Sequence, residues 1–297
     1  MTVVTAPAGF ARQLKRWRLL RRVSQLDLAI RAGTTQRYLS YLEQGRSQPG
    51  RAMVVRLAES LALSLRDRNG LLLAAGYAPV FPETALDAVE SAPAGAALHA
   101  ILQGHMPYPA VIVRPHGVLV AANPAFGLIT EGAAPWLLEP PLHVLRLALH
   151  PEGLAPRVVN LAEWGRHITE ALRARAAAGP DAALDDLLAE LESYLPPPQL
   201  GPGHIGFAVP LRLRTGTGEL SLITMISSFT TAVDITLAEL QLEAFLPADE
   251  TTAQILRDRA ERVAGIGRPT SVANRGGMFA TEVPESIESG VVAGNDA

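Results

Sequence analysis

The stretch Ser24–Gly45, SQLDLAIRAGTTQRYLSYLEQG, constrains the fold more than any other part of the chain. Ser24 followed by Asp27 forms a capping box and predicts a helix over Gln25–Ala32, with Leu28, Ala29 and Ala32 on its buried face. Ala29 is small where two helices must approach closely. Gly33 ends the helix at a position that needs a left-handed backbone. Thr34 and Thr35 offer hydroxyls to cap the next helix, which buries Leu39 and Leu42, runs to Gln44 and stops at Gly45. Two helices this short, joined by so tight a turn, are held at a fixed angle with the second one facing outward.

The flanking sequence completes a small helical domain. Phe10–Arg22 carries Phe10, Leu14 and Trp17 at helical spacing, with Arg12, Lys15, Arg16 and Arg18 interleaved. Arg51–Leu61 and Leu65–Ala75 predict two further helices, punctuated by Ser64 and Gly76. Charge is divided unevenly along the chain. Residues 1–82 hold 13 Lys and Arg against 4 Asp and Glu; the rest holds 13 against 25, for a net charge of -3 overall. A basic head joined to an acidic body is suited to binding a polyanion with the head and keeping the body off it. A chance clustering of solvated arginines is the plainer alternative.

An outward helix on a basic head has the dimensions of the DNA major groove. Gln25, Ala29, Gly33, Leu39, Leu42 and the LEQG ending resemble the lambda-repressor-like helix-turn-helix family of Cro/C1 or XRE type. The resemblance implies that the helix opening at Thr35-Gln36-Arg37 is the recognition helix. Gln can pair with adenine N6/N7 and Arg with guanine O6/N7, so Gln36 and Arg37 are the expected base readers, with Tyr41 one turn on as a third contact. Gln25 is similar to the family's backbone-contacting glutamine, and Thr35 and Arg46 are expected on phosphates, which set position without reading sequence. Arg18 and Glu43 resemble the family's structural ion pair between the first and third helices. For each of the expected DNA contacts an exposed polar side chain without a partner is the alternative reading.

The remaining sequence is organised differently. Pro79–Pro93, rich in Pro, Ala and acidic residues, reads as a connection with a short helix at Thr84–Glu90, and Gly95–Gln103 as a lead-in helix. Val111–Val113 and Val118–Ala121 predict a hairpin around His116-Gly117, after which Asn123-Pro124 starts a helix bearing Phe126 and Ile129. Phe207–Arg214 and Leu220–Ser228 predict a second hairpin around Thr215–Gly218, followed by a last strand at Val233–Glu243. Two hairpins with helices between them, and the string AANPAF, resemble a PAS domain. The expected fold is therefore an all-α, lambda-repressor-like, five-helix DNA-binding domain followed by an α+β PAS-like domain with an antiparallel sheet. The expected divisions are 1–82 for the head, 83–107 for the linker and lead-in helix, 108–250 for the PAS-like domain, and 251–297 for a short helix and a tail.

Two longer strings narrow the resemblance. LHVLRLALHPEGLAPRVVNLAEW at Leu142–Trp164, and Pro210–Asp249, resemble the MmyB-like ligand-binding domain that follows this type of helix-turn-helix. This sequence lacks the Tyr-bearing strand motif that ends one branch of that family. The resemblance implies a bound long-chain fatty acid or similar hydrophobic molecule, and no other cofactor. Candidate lining from the strands is Val111, Val113, Leu119, Phe207, Val209, Leu222 and Ile226. From the helical segments it is Phe126, Ile129, Trp136, Leu145, Leu149, Trp164 and Ile168. Apolar periodicity does not separate a pocket wall from a solid core, so packing is the competing reading for each. A carboxylate needs an anchor, for which Arg157 and His167 are the candidates; the fork of Arg suits it better.

Other chemistries are disfavoured. The chain has no Cys, which excludes disulfides, zinc-thiolate sites, cysteine nucleophiles and a light-driven cysteinyl adduct. No G-x-S-x-G elbow is present, and His143 and His150 lie two helical turns apart with no acidic partner to complete a metal site. A sequence-specific DNA-binding regulator is expected, dimeric and controlled by a hydrophobic ligand, rather than an enzyme. Its operator half-sites would lie about one helical turn apart. The alternative is a regulator whose body serves only for dimerisation or protein docking; a lipid-acting enzyme is the third possibility. Hydrophobic residues make up 48% of the chain without an uninterrupted apolar run or signal pattern, so a folded cytoplasmic protein is expected. Thr251–Val263 predicts a helix, and the Gly-, Ser- and Asn-rich sequence from Gly265 predicts disorder.

Overall fold

A computed structural model describes residues 8–266, apart from 92, 178, 180 and 198–207. The head contains α1 (Ala8–Leu20), α2 (Gln25–Arg31), α3 (Gln36–Glu43), α4 (Arg51–Ser60) and α5 (Leu65–Ala74). Their apolar faces meet in one core built on Phe10, Leu14, Leu28, Leu39, Leu57 and Leu71. Side-chain oxygens cap the starts. Ser24 accepts from the Asp27 N–H at 3.0 Å, Thr35 from that of Tyr38 at 3.2 Å, and Ser64 from that of Asp67 at 3.1 Å. Gly33 and Gly45, at φ of 62° and 71°, take the left-handed turns that end α2 and α3.

The connection is anchored on both sides. Buried Asn69 of α5 donates to Phe81 O at 2.8 Å and accepts from the Val80 and Phe81 N–H groups at 3.0 and 3.2 Å. Next come α6 (Leu86–Ser91) and α7 (Pro93–Gly104), then β1 (Ala110–Arg114) and β2 (Val118–Ala122). The short turn between β1 and β2 places His116 and Gly117 at positive φ. Buried Asn123 ends β2, accepting from the Ala110 N–H at 3.1 Å and donating to Tyr108 O at 2.8 Å. The helical middle holds α8 (Gly127–Thr130), α9 (Val144–Leu149), α10 (Leu161–Ala176) and α11 (Ala182–Ser193). The chain then forms β3 (Leu211–Thr215), β4 (Gly218–Ser228), α12 (Ile235–Glu239), β5 (Gln241–Pro247) and α13 (Glu250–Ile266).

The five strands make one antiparallel sheet in the order β2-β1-β5-β4-β3. Helices cover one face and the β2-β1-β5 part of the other. Val111, Val113, Leu213, Leu222 and Phe245 pack under the helical middle, while Ala110, Ile112, Leu242 and Ala244 pack under α6 and α7. The architecture is thus a five-helix head followed by an α+β domain with a PAS-like sheet.

The expected strand at Val233–Glu243 is corrected. Asp234 caps α12 by accepting from the Leu237 N–H at 3.3 Å, and the strand starts only at Gln241. Alternation was weak there because the window joins a helix to a strand buried on both sides. The part of the first expected strand of the second hairpin that includes Phe207 lies outside the described residues, as does nearly all of the expected disordered tail.

The head and the sheet domain share polar contacts. Arg66 of α5 forks onto Glu239 of α12, with N···O distances of 2.6 and 2.9 Å, and also donates to Glu83 at 2.6 Å. Asp234 accepts from the Thr84 hydroxyl at 2.6 Å and its N–H at 3.0 Å.

Candidate functional site

The outward face of α3 is set from beneath by a buried polar cluster. Arg18 of α1 donates through Nε and Nη2 to the two carboxylate oxygens of Glu43, at 2.6 and 2.9 Å, and through Nη1 to Val23 O at 3.0 Å. The Glu43 side chain is only 3% exposed, so its charge depends on this pairing. The carboxylate bonds push the Arg18 pKa further up, against the opposing effect of burial. Removing either partner would leave a charge stranded under the recognition helix.

Gln36 and Arg37 are exposed at the start of α3. The Arg37 Nε donates to the Tyr41 hydroxyl at 2.9 Å, and its guanidinium lies 5.5 Å from the Tyr41 ring centre. Tyr41 thus holds Arg37 along the helix face, and the two side chains present themselves together. Thr35 spends its oxygen lone pair on the Tyr38 N–H but keeps its hydroxyl proton, so capping and donation to a phosphate are compatible. Arg46 is exposed just past the helix end. The Gln25 amide Nε2 donates to Glu43 Oε2 at 2.8 Å, which ties it into the ion-pair cluster and leaves one N–H for any outside contact.

The second site is a cavity of about 220 Å³ in the α+β domain, between the sheet and α9–α10. Seven of the expected lining residues stand on its wall: Val113, Leu145, Trp164, His167, Ile168, Val209 and Ile226. Six others, Val111, Leu119, Phe126, Ile129, Leu149 and Leu222, do not line this cavity; they pack in the hydrophobic cluster of which its wall is part. Trp136 is corrected to the surface, 47% exposed with its ring edge-on to His150 at 4.9 Å. Phe207 lies outside the described residues.

Arg157 is also corrected as an anchor. Its Nη1 donates to Leu128 O at 3.0 Å and Glu131 O at 2.7 Å, and its Nε to Arg214 O at 3.3 Å. It clamps α8 to β3 instead of facing the cavity. Burial lowers its pKa, and its Nη2 is buried without a partner. His167 does line the cavity and is exposed.

Sequence reasoning missed four polar groups on the wall: Thr224, Gln241, Glu243 and Arg175. The available signal was Glu243 itself, an acid between apolar neighbours in a strand buried on both faces. Burial pushes its carboxyl up to about 6, with Arg175 pulling in the opposite direction.

A helix-turn-helix bundle followed by a cavity-bearing α+β domain defines a class of ligand-regulated DNA-binding proteins. Residues 94–258 match the MmyB-like transcription regulator ligand binding domain, and residues 10–71 match a helix-turn-helix domain. The chain belongs to this MmyB-like transcription regulator family. No curated protein matches it. Among solved structures it is similar to one described as "Structure of an RNA-binding Light-Oxygen-Voltage Receptor", at 16% identity and a TM-score of 0.26. That likeness covers 87% of this chain and 64% of the other, and it is too slight to bear on fold or function. Among the described residues, no helix is long and apolar enough to cross a membrane.

Proposed function

We propose that the chain is a dimeric, sequence-specific transcription regulator whose affinity for operator DNA is set by a hydrophobic, fatty-acid-like ligand in the cavity. Gln36 and Arg37, assisted by Tyr41, read base edges, while Thr35, Arg46 and the remaining Gln25 N–H hold the phosphates. The observation that carries this reading is the exposure of Gln36 and Arg37 on a helix fixed from below by the buried Arg18–Glu43 pair. Two heads related by a dimer axis would meet an inverted repeat with half-sites about one helical turn apart.

The Arg66–Glu239 contact supports a route from cavity to head. Glu239 ends α12, and β5 begins two residues later with Gln241, a cavity-lining residue. A ligand that moves β5 changes where α12 holds α5. It shifts DNA binding only to the extent that it binds the DNA-compatible and DNA-incompatible arrangements with different affinity. The reading assigns the chain no catalysis, and both matching domains are those of regulators.

One observation favours a second reading, in which the body only dimerises or docks a protein: six residues expected on a pocket wall are packed in the core and do not line this cavity. Organic-solvent extraction of the purified full-length protein, followed by mass spectrometry, separates the two. The ligand reading expects a stoichiometric single-chain lipid, recovered unchanged after incubation. Absence of any lipid, with no uptake of added lipid, would favour the docking module, and chemical conversion of the lipid would favour an enzyme.

A further inference from the structure

The cavity has a largely apolar wall, and the groups that could meet a carboxylate, His167 and Arg175, stand exposed on α10. Three other polar groups lie on the sheet floor: Thr224, Gln241 and Glu243. Thr224 of β4 stands opposite Phe245, and Glu243 of β5 stands opposite Ile226. Both line the cavity. The Thr224 hydroxyl oxygen is buried with no hydrogen-bond partner. Among the described residues no hydrogen bond reaches the Glu243 carboxyl, and the charge acting on it is that of Arg175. The other charged or titratable described groups on the wall are His167 and Arg175, both exposed on α10.

A half-buried acid and a buried hydroxyl, neither hydrogen-bonded among the described residues, are costly in a largely apolar cavity unless something else satisfies them. An apolar chain that excludes water from these groups must supply donors of its own. A carboxylate head brings only acceptors and a second negative charge beside Glu243. An ammonium or hydroxyl head brings donors to Glu243 and can use the Thr224 hydroxyl as well.

We infer that Glu243 and Thr224 form a head-group site, so that the cavity takes a single-chain amphiphile whose head donates hydrogen bonds. Long-chain amines and alcohols have that chemistry. A fatty acid has it only when it carries a proton, shared with Glu243. This rests on the proposed ligand-binding role of the cavity and narrows the class of ligand.

The sign of the pH dependence separates these sources. Burial raises the Glu243 carboxyl to about 6, so it is largely ionised at pH 7.5 and largely protonated at pH 5.5. An amine should therefore bind more tightly at the higher pH, a fatty acid at the lower, and an alcohol nearly equally at both. His167 becomes more cationic as pH falls and would also favour a carboxylate there, so the Glu243 variant is needed to assign the effect.

The test is isothermal titration of the lipid-stripped, full-length protein with decylamine, decanol and decanoate, each below its micelle concentration. At pH 7.5 the wild type should prefer decylamine over decanoate by at least about tenfold, and the preference should narrow at pH 5.5. Glu243→Gln should remove most of that preference and most of its pH dependence. Thr224→Val, which keeps the branched shape in the strand, should weaken decanol most. Decanoate binding at least as tightly as decylamine to the wild type at pH 7.5 would overturn the inference, as would an unchanged order in Glu243→Gln. If none of the three binds at either pH, both the inference and the ligand-binding role fall. A reversed order with tight binding sinks the head-group assignment alone.

Discussion

In the proposed function, exposed residues on and near α3 have separable duties. Arg37 would pair bidentately with guanine, whereas Arg46, past the helix end, would meet the backbone. Arg37→Ala should cost about 1–3 kcal/mol on a selected duplex and relax preference at one base pair. Arg46→Ala should weaken selected and random duplexes alike and reduce the salt slope by about one. Competition binding against single-base variants at several salt concentrations measures both, and equal losses on every sequence for Arg37→Ala would place it on the backbone too. At this scale the sequence was informative where residue type and motif position coincide, as for the Arg18–Glu43 pair and the outward exposure of Gln36 and Arg37. It misled for Arg157, whose donors suit an outside anion yet go to atoms of the protein that only the fold brings near. A donor's type is written in the sequence; its nearest acceptor is not.

Elements were legible wherever a cap or a glycine marks an end. The Ser24, Thr35 and Ser64 caps and the Gly33 and Gly45 turns fix α2, α3 and the start of α5 to within a residue or so. The weakest reading was β5, where both faces are covered and the period-two pattern disappears. Contacts between distant elements of the α+β domain were not legible. Arg146 of α9 donates to both carboxylate oxygens of Glu190 on α11, at 2.5 and 2.8 Å, and the Tyr194 hydroxyl adds a bond of 2.7 Å. The Arg146 bonds foremost, with the Tyr194 bond, hold the Glu190 carboxyl down at about 2. A depressed carboxylate stabilises the fold above its ordinary value near 4.5, and that contribution is lost as pH falls through the folded value near 2. Both side chains are about one-third exposed, so screening reduces the effect. Arg146→Gln should cost about 1 kcal/mol at neutral pH, and the gap from wild type should shrink in urea unfolding at about pH 3. A gap of the same size at both pH values would mean that packing, not charge, links α9 to α11.

For the whole molecule, the basic head and acidic body were plain from charge alone, and the strings resembling the MmyB-like domain lie within the matched residues. The cavity was only half legible, because apolar strands look alike whether they face a neighbour or a void. Val111 and Val113 share one face of β1, yet only Val113 reaches the cavity. What joins head to body is polar and long in sequence separation, as in Arg66 with Glu239 and Thr84 with Asp234, and no periodicity announces it. The account as a whole rests on the head reading duplex DNA. The most direct measurement selects duplexes from a random library with the full-length protein. It then follows fluorescence anisotropy of the best one against a scrambled control as salt rises. The account predicts tighter binding to the selected duplex by about 10³-fold or more and a steep loss of affinity with salt for both. It also predicts that Gln36→Ala combined with Arg37→Ala removes the preference while leaving the salt-sensitive background. Failure to bind any duplex at low ionic strength, or equal affinity for selected and scrambled sequences, would contradict it.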